Sequence, residues 1–208
     1  MTLKIYGIAA SRAIRNLWMA EELGIAYEHV PIHYRDDPDG PLGKNNPEFR
    51  RANPMGRVPA IDDDGFGLSE SMAINLYLAR KHGKGLWPAT VEGEGLAFQW
   101  SFFAVTEVDP VIVEWARHAL VLPEAERIPE VAASSLERLQ KPFAVVEAAL
   151  AHRPYLAGGA FTVADLNLAA TMFRARRIDH AARPNLARWL ADCFSRPAAR
   201  RAWALRGE

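Results

Sequence analysis

Ala52-Asn53-Pro54-Met55-Gly56-Arg57-Val58-Pro59-Ala60-Ile61, followed by Ser69-Glu70-Ser71, decides the reading of this chain. Proline donates no ladder hydrogen bond, so within sheets it is confined to strand starts, edges and bulges. Pro59 stands at the head of the apolar pair Ala60-Ile61, and the turn signals Asn53-Pro54 and Gly56 deliver the chain to it. A cis Val58-Pro59 bond at such a place aims the Val58 N–H and C=O sideways, as an edge that reads an extended peptide. Ser69-Glu70-Ser71 then precedes the helical apolar run Met72, Ile74, Leu76, Tyr77 and Leu78. One carboxylate, two hydroxyls and free N–H groups therefore gather at a helix N-terminus. Such a corner holds both ends of an amino acid: N–H groups and Ser71 take a carboxylate, and Glu70 takes an ammonium.

Outward from this stretch, Leu3-Lys4-Ile5-Tyr6 reads as a short strand. Ser11 to Leu23 reads as an amphipathic helix with Ile14, Leu17, Trp18 and Leu23 on one side and Gly24 as its stop. A second strand is expected over Tyr27 to Tyr34, then a polar loop over Asp36 to Asn46 and a turn or two of helix over Pro47 to Arg51. Ala60-Ile61-Asp62 and Phe66-Gly67-Leu68, joined by Asp64-Gly65, predict a hairpin. This order is an α/β unit resembling thioredoxin, assigned to residues 1–82. Glycine and proline concentrate after Gly83, and 83–92 is taken as a linker. From 93 to 208 the hydrophobic spacing is helical, with breaks near Pro110, Pro123, Pro129, Pro154 and Pro184, which predicts an all-α second domain. Within it, Phe161-Thr162-Val163-Ala164-Asp165-Leu166 spells a helix start. Thr162 caps the N–H groups ahead, Asp165 is the reciprocal partner, and Phe161 is placed to pack on Leu166. Asp165 is read as structural.

The 25 basic and 25 acidic side chains cancel, which leaves no strong electrostatic case for nucleic acid or an anionic membrane surface as partner. Half the residues are hydrophobic, yet no run approaches the about 18 apolar residues of a membrane span. No signal-peptide pattern opens the chain, so a soluble cytoplasmic protein is expected. Cys193 is the single cysteine, which rules out an intrachain disulfide, a cysteine-based zinc site and a CxxC redox pair. No metal is expected, and Cys193 reads as a buried helix residue.

The opening strand and helix from Leu3 to Gly24, the Val58-Pro59 turn, Glu70-Ser71 and the Phe161 to Asp165 motif together resemble the glutathione S-transferase superfamily over nearly the whole chain. The resemblance implies a thioredoxin-like glutathione-binding domain followed by an all-helical domain that supplies the electrophile pocket. It also implies glutathione as co-substrate and a homodimer as assembly. On that basis Val58, at the Pro59 turn, pairs through its backbone with the cysteinyl segment of glutathione, and Glu70 and Ser71 hold the γ-glutamyl end. Arg57 either reaches the glycine carboxylate or is a solvated loop arginine; Lys44 and Asn53 are weaker candidates. Phe103 and Trp115 are expected to wall the electrophile pocket. His118 reads as a surface residue before a general base, and Asp109 either caps a helix or meets the peptide ammonium.

Two residues compete to activate the thiol. Serine-type members of the superfamily carry a serine after the first strand at about the spacing of Ser11, with an arginine-containing helix behind it. A free thiol has a pKa of about 8.5, and half-ionising it at pH 7 needs roughly 2 kcal/mol. One hydrogen bond to a charged group supplies about 1.5–3 kcal/mol, and a helix N-terminus adds about 0.3–1 kcal/mol. Ser11 suffices in magnitude, unless its hydroxyl is used as a helix cap. Tyr6 lies close to where tyrosine-type members place their phenol, although strand parity sets it on the face opposite Leu3 and Ile5. Ala9-Ala10-Ser11 supplies no cysteine for mixed-disulfide chemistry.

Three functions fit these residues. The first is a transferase that adds ionised glutathione to a small hydrophobic electrophile. The second is a non-catalytic glutathione- or ligand-binding module of the same fold, and the third is a glutathione-dependent reductase of a peroxide, disulfide or ether. The joint presence of Ser11, Val58, Pro59, Glu70 and Ser71 favours the transferase.

Overall fold

In the computed structural model, which describes residues 3–35 and 37–207, Leu3–Tyr6 (β1) is an inner strand of a four-stranded sheet. It pairs in parallel with Tyr27–Val30 (β2) and antiparallel with Ala60–Asp63 (β3), which in turn pairs antiparallel with Phe66–Ser69 (β4), giving the order β2-β1-β3-β4. Asp64 and Gly65 both adopt positive φ, 53° and 90°, which is the backbone that a two-residue hairpin of the sheet's own twist requires. Helices Ile14–Leu23 (α1), Pro47–Ala52 (α2) and Ser71–His82 (α3) complete this α/β unit. Tyr6, Ile32, Phe49, Ala52 and Ala60 form a buried cluster with Val30 and Val58 packed against it.

Two elements are shorter than the sequence predicts, each for a local reason. β2 ends at Val30 rather than Tyr34, because Pro31 follows and brings no N–H to the ladder. α1 begins at Ile14 rather than Ser11: the Ser11 hydroxyl donates to the Ile8 carbonyl (2.7 Å) and accepts from the Ala13 N–H (3.1 Å), closing a turn ahead of the helix. Gly24 ends α1 in the left-handed conformation, as expected. Residues 37–46 carry no helix or strand beyond an isolated bridge between His33 and Gly43, and Asp36 lies outside the described residues.

The second unit is helical: Val91–Phe103 (α4), Asp109–Ala116 (α5), Pro129–Ala149 (α6), Val163–Thr171 (α7) and Pro184–Ser195 (α8). Two single-turn π segments, Ala104–Val108 and Arg117–Val121, make the helix from Val91 continuous to Val121. At 31 residues it is long and apolar enough to cross a membrane by length and composition, where the sequence reading found no such run. Its Trp100, Val108, Ile112 and Trp115 are buried, α4 packs on α7 and α5 on α6, which is the behaviour of a core helix. The helix start at Thr162 is the reciprocal box expected: Asp165 accepts from the Thr162 N–H and hydroxyl, and the Thr162 oxygen accepts from the Ala164 N–H. Asp165 also accepts from the Leu156 N–H (2.8 Å) and the Trp189 indole (2.9 Å), so one buried carboxylate pins the preceding loop and α8 to the start of α7. Burial pushes its carboxyl up while these donors favour the charge.

The division into units differs from the expected one at its last segment. The chain splits into Met1–Trp87 with Ser195–Glu208, and Pro88–Phe194. The last helix, Pro197–Ala204 (α9), thus belongs with the α/β unit rather than with the helices before it. Trp203 packs edge-on against Trp18 of α1 at 5.3 Å, and Arg196 grips Glu22 through two bonds of 2.7 and 2.8 Å.

Asp63 ties α3 to the sheet, accepting from the Tyr77 hydroxyl at 2.8 Å and pairing with Lys81. Burial raises its carboxyl, but the bonds from Lys81 and Tyr77 outweigh that and hold it below 3.8. A depressed carboxyl stabilises the fold above its unfolded pKa and loses that contribution as pH falls through the folded value. Asp63→Asn is expected to cost about 1–2 kcal/mol in urea unfolding at pH 7, and its unfolding curve is expected to converge on the wild type's below about pH 4.

Candidate active site

Three segments of the α/β unit converge. The first is the loop from Gly7 to Ser11 between β1 and α1. Gly7 has φ of 125°, and a Cβ there would lie 2.9 Å from the Val58 Cβ and 3.0 Å from the Ala13 Cβ. Only glycine permits this close approach, and it brings the loop against the second segment, the turn before β3. There the Val58–Pro59 bond is cis, Val58 is half-buried and Pro59 buried. Asn53, a candidate ligand by sequence, is buried and occupied with bracing this turn: it donates to the Arg57 carbonyl (2.6 Å) and accepts from the Met55 N–H (3.1 Å). The Arg57 side chain is exposed. Lys44 is exposed on the polar loop.

The third segment is the corner ahead of α3. Glu70 holds φ 71° and ψ 113° and makes no side-chain cap to the helix that it precedes. A non-glycine residue there costs about 1–3 kcal/mol and persists only where its surroundings hold it. What holds it is a buried polar network that joins α3 to α1. Arg15 donates to the Ser71 hydroxyl oxygen (3.1 Å). Asn16 donates to the Ser71 carbonyl (2.9 Å) and to Asn75 (2.7 Å), and Asn75 donates to the Arg15 carbonyl (3.2 Å). Because the Ser71 oxygen accepts from a guanidinium, its own proton is directed elsewhere and strengthened as a donor. The start of α3 and this hydroxyl therefore put donors and the positive end of a helix at one corner, an arrangement that favours an anion.

The two candidates for thiol activation have different surroundings. Tyr6 is 2% exposed, packed against Phe49 at 5.7 Å between ring centroids, and burial pushes its phenol up. Ser11 is half-buried, and its oxygen already accepts from the Ala13 N–H, so that one backbone donor polarises the hydroxyl. Of the helical residues singled out in the sequence, Phe103 is half-buried edge-on to Trp100 at 5.3 Å, and Trp115 is buried. The His118 ring accepts from the Ile128 N–H at 3.3 Å. Asp109 is buried at the start of α5, and Cys193 is buried. Among the described residues no group of three histidine, cysteine or acidic side chains is arranged to hold a metal ion. Gly7, Asn16 and Asn75 were not found from sequence; a small residue after a strand and amides on buried helix faces were the available signals.

The N-terminal domain model of glutathione S-transferase matches residues 1–80, and the C-terminal domain model matches residues 99–192. Glutathione S-transferase F13 of Arabidopsis thaliana is 32% identical over 209 residues, covering 95% of this chain and 93% of that protein. The theta class glutathione S-transferase from Xanthomonas axonopodis pv. citri, solved with glutathione bound, superposes with a TM-score of 0.85 at 31% identity and 96% coverage of each chain. Maize glutathione S-transferase I, solved with an atrazine glutathione conjugate, has a TM-score of 0.85 at 29% identity, covering 99% of this chain and 98% of that one.

The strain at Glu70 separates from its charge by mutation. Glu70→Gly and Glu70→Ala both remove the carboxylate, and only glycine relaxes the backbone. Both are expected to bind glutathione about ten- to a hundredfold more weakly by calorimetry, while the glycine variant unfolds at higher urea than the alanine variant by about 1 kcal/mol. A glycine variant less stable than the alanine variant contradicts the account.

Proposed function

The chain belongs to the glutathione S-transferase family, and from that premise we propose that it ionises bound glutathione at Ser11 and adds the thiolate to a small hydrophobic electrophile. The observation that carries this reading is the convergence of the Ser11 turn, the Val58 turn and the Glu70-Ser71 corner within one unit. In this reading glutathione lies extended along the Val58 edge, where the cysteinyl backbone pairs with the Val58 N–H and C=O. Ser71 and the N-terminus of α3 take the γ-glutamyl carboxylate, Glu70 takes its ammonium, and Arg57 is within the glycine end's neighbourhood by sequence position. Binding at both flanks fixes the sulfur at the mouth of the Ser11 turn.

The Ser11 hydroxyl has one proton, and here it goes to the Ile8 carbonyl. Turning it to a thiolate exchanges a neutral bond of about 0.5–1.5 kcal/mol for one to a charge of about 1.5–3 kcal/mol. The exchange is downhill by about 1 kcal/mol, and it leaves the Ile8 carbonyl satisfied, since the Ser11 N–H also donates to it at 2.9 Å. What supports Ser11 over Tyr6 is burial: the Tyr6 ring belongs to the core, and its phenol ionises with more difficulty than a free one. The thiol proton leaves to solvent, the sulfur forms a bond to carbon, and a leaving group departs with the electron pair of the bond that breaks. Holding both reactants supplies the remaining acceleration. The atrazine conjugate in the maize relative makes activated aryl and heteroaryl halides the first class to assay. Phe103 and Trp115 are the proposed wall for the electrophile, and a cytoplasmic homodimer is the proposed working form.

Titrating the thiolate absorbance of bound glutathione tests the serine. Ser11→Ala is expected to raise the bound thiol's pKa by about one unit toward 8.5 and to slow conjugation at neutral pH. The deficit is expected to shrink as pH rises and the thiol ionises unaided. Tyr6→Phe is expected to leave the pKa in place. The reverse pattern identifies a tyrosine-type enzyme, and no shift in either variant assigns activation to backbone N–H groups.

A further inference from the structure

The loop that carries Ser11 is held by its carbonyls in succession. Gly7 C=O is bonded by His29 Nε2 at 2.8 Å, Ile8 C=O by the Ser11 N–H and hydroxyl, and Ala9 C=O by Arg206 Nη1 at 3.2 Å. The third of these bonds comes from beyond α9, 197 residues away in sequence. α9 lies along α1 in the opposite direction: Arg196 and Arg201 bond Glu22 and Glu21 at the end of α1, Trp203 packs on Trp18 in its middle, and Arg206 reaches the loop ahead of its start. Ala198 and Ala202 are buried, so the helix is seated by packing as well as by its ion pairs. The guanidinium therefore has a fixed platform.

We propose that Arg206 is a positioning residue for thiol activation, holding the Ala9–Ala10 peptide plane so that Ser11 stays aimed when its hydroxyl leaves the Ile8 carbonyl. The proposal rests on the reading of Ser11 as the thiolate's donor. At that moment the loop gives up one of its braces, and the Ala9 carbonyl bond is what remains on the residue next but one to the serine. A peptide unit is planar, so fixing the carbonyl fixes the Ala10 N–H and the direction in which the chain enters Ser11. The side chain also places a permanent positive charge beside a site where negative charge forms, and arginine keeps that charge at every pH of interest. Both effects favour the thiolate over the thiol, and neither requires Arg206 to touch glutathione.

The test is the thiolate titration and steady-state kinetics of Arg206→Ala, Arg206→Lys and Arg201→Ala beside the wild type. Arg206→Ala is expected to lower the thiolate fraction at pH 7 about three- to tenfold, to lower kcat at that pH by a similar factor and to leave KM for glutathione unchanged. The kcat deficit is expected to close at alkaline pH. Arg206→Lys restores most of the loss, because it keeps the charge and a donor. Arg201→Ala, which removes the ion pair between the last turn of α9 and Glu21 but leaves the Ala9 carbonyl bond in place, leaves the thiol pKa unchanged. Circular dichroism at the assay temperature confirms that each variant is folded, and Arg206→Met, which keeps the apolar stem while removing the charge and the donor, carries the same expected pKa rise if the alanine variant is not. An unchanged pKa in Arg206→Ala overturns the proposal, as does an equal shift in Arg201→Ala, which assigns the effect to helix docking. A wild-type thiol titrating like free glutathione overturns the underlying reading of Ser11 and the proposal with it.

Discussion

The hydrogen bonds that pass from Arg15 and Asn16 on α1 to Ser71 and Asn75 on α3 are the constraint on which the site depends. Ser11 stands ahead of α1 and Ser71 opens α3, so the register between these helices fixes the two flanks of the proposed glutathione site relative to each other. The four side chains are buried, and removing one partner strands another at a cost of about 1–3 kcal/mol. A buried arginine is an expensive choice for packing alone, and its bond to the Ser71 oxygen gives it a chemical use. It leaves the serine hydroxyl with a proton to offer an anion. The positive φ of Glu70 stands directly before the anchored Ser71, where strained backbone needs such a support to persist.

In the proposed mechanism the β1–α1 loop turns a small energy difference into a chemical function. In the protein alone the Ser11 hydroxyl satisfies its own turn, and the helix starts three residues later than its apolar periodicity suggests. Under the proposed mechanism a thiolate would win the hydroxyl because a charged acceptor outbids a neutral carbonyl. The carbonyls of Gly7, Ile8 and Ala9 are held by groups from β2, from Ser11 itself and from the segment after α9. A loop braced in this way is expected to exchange one hydrogen bond without changing its path.

The parts of this structure that were legible in the sequence are those written in contiguous residues. Pro59 after a glycine turn, Asp64-Gly65 between two short runs and the Thr162/Asp165 spacing each specify a local backbone, and each occurs as read. The parts that were not legible depend on pairing across distance. Arg15 and Ser71 are 56 residues apart, and no periodicity links them. The helical spacing read over 93–208 took in this last segment but carried no information on which unit would receive it, and the answer lay in Trp203 meeting Trp18 and in arginines meeting Glu21 and Glu22. Ser11 was readable as a residue with two uses, and which use prevails without a ligand is decided by the position of the Ile8 carbonyl, a matter of three-dimensional structure.

The most direct measurement of the central claim is a crystal structure of the protein with glutathione. The account predicts the cysteinyl sulfur within about 3.5 Å of the Ser11 oxygen, the Ser11 oxygen turned away from the Ile8 carbonyl, and the γ-glutamyl carboxylate on Ser71 with Arg15 still bonded to that serine. A sulfur directed at Tyr6, or a Ser11 hydroxyl still seated on the Ile8 carbonyl with the thiol out of its reach, would contradict it.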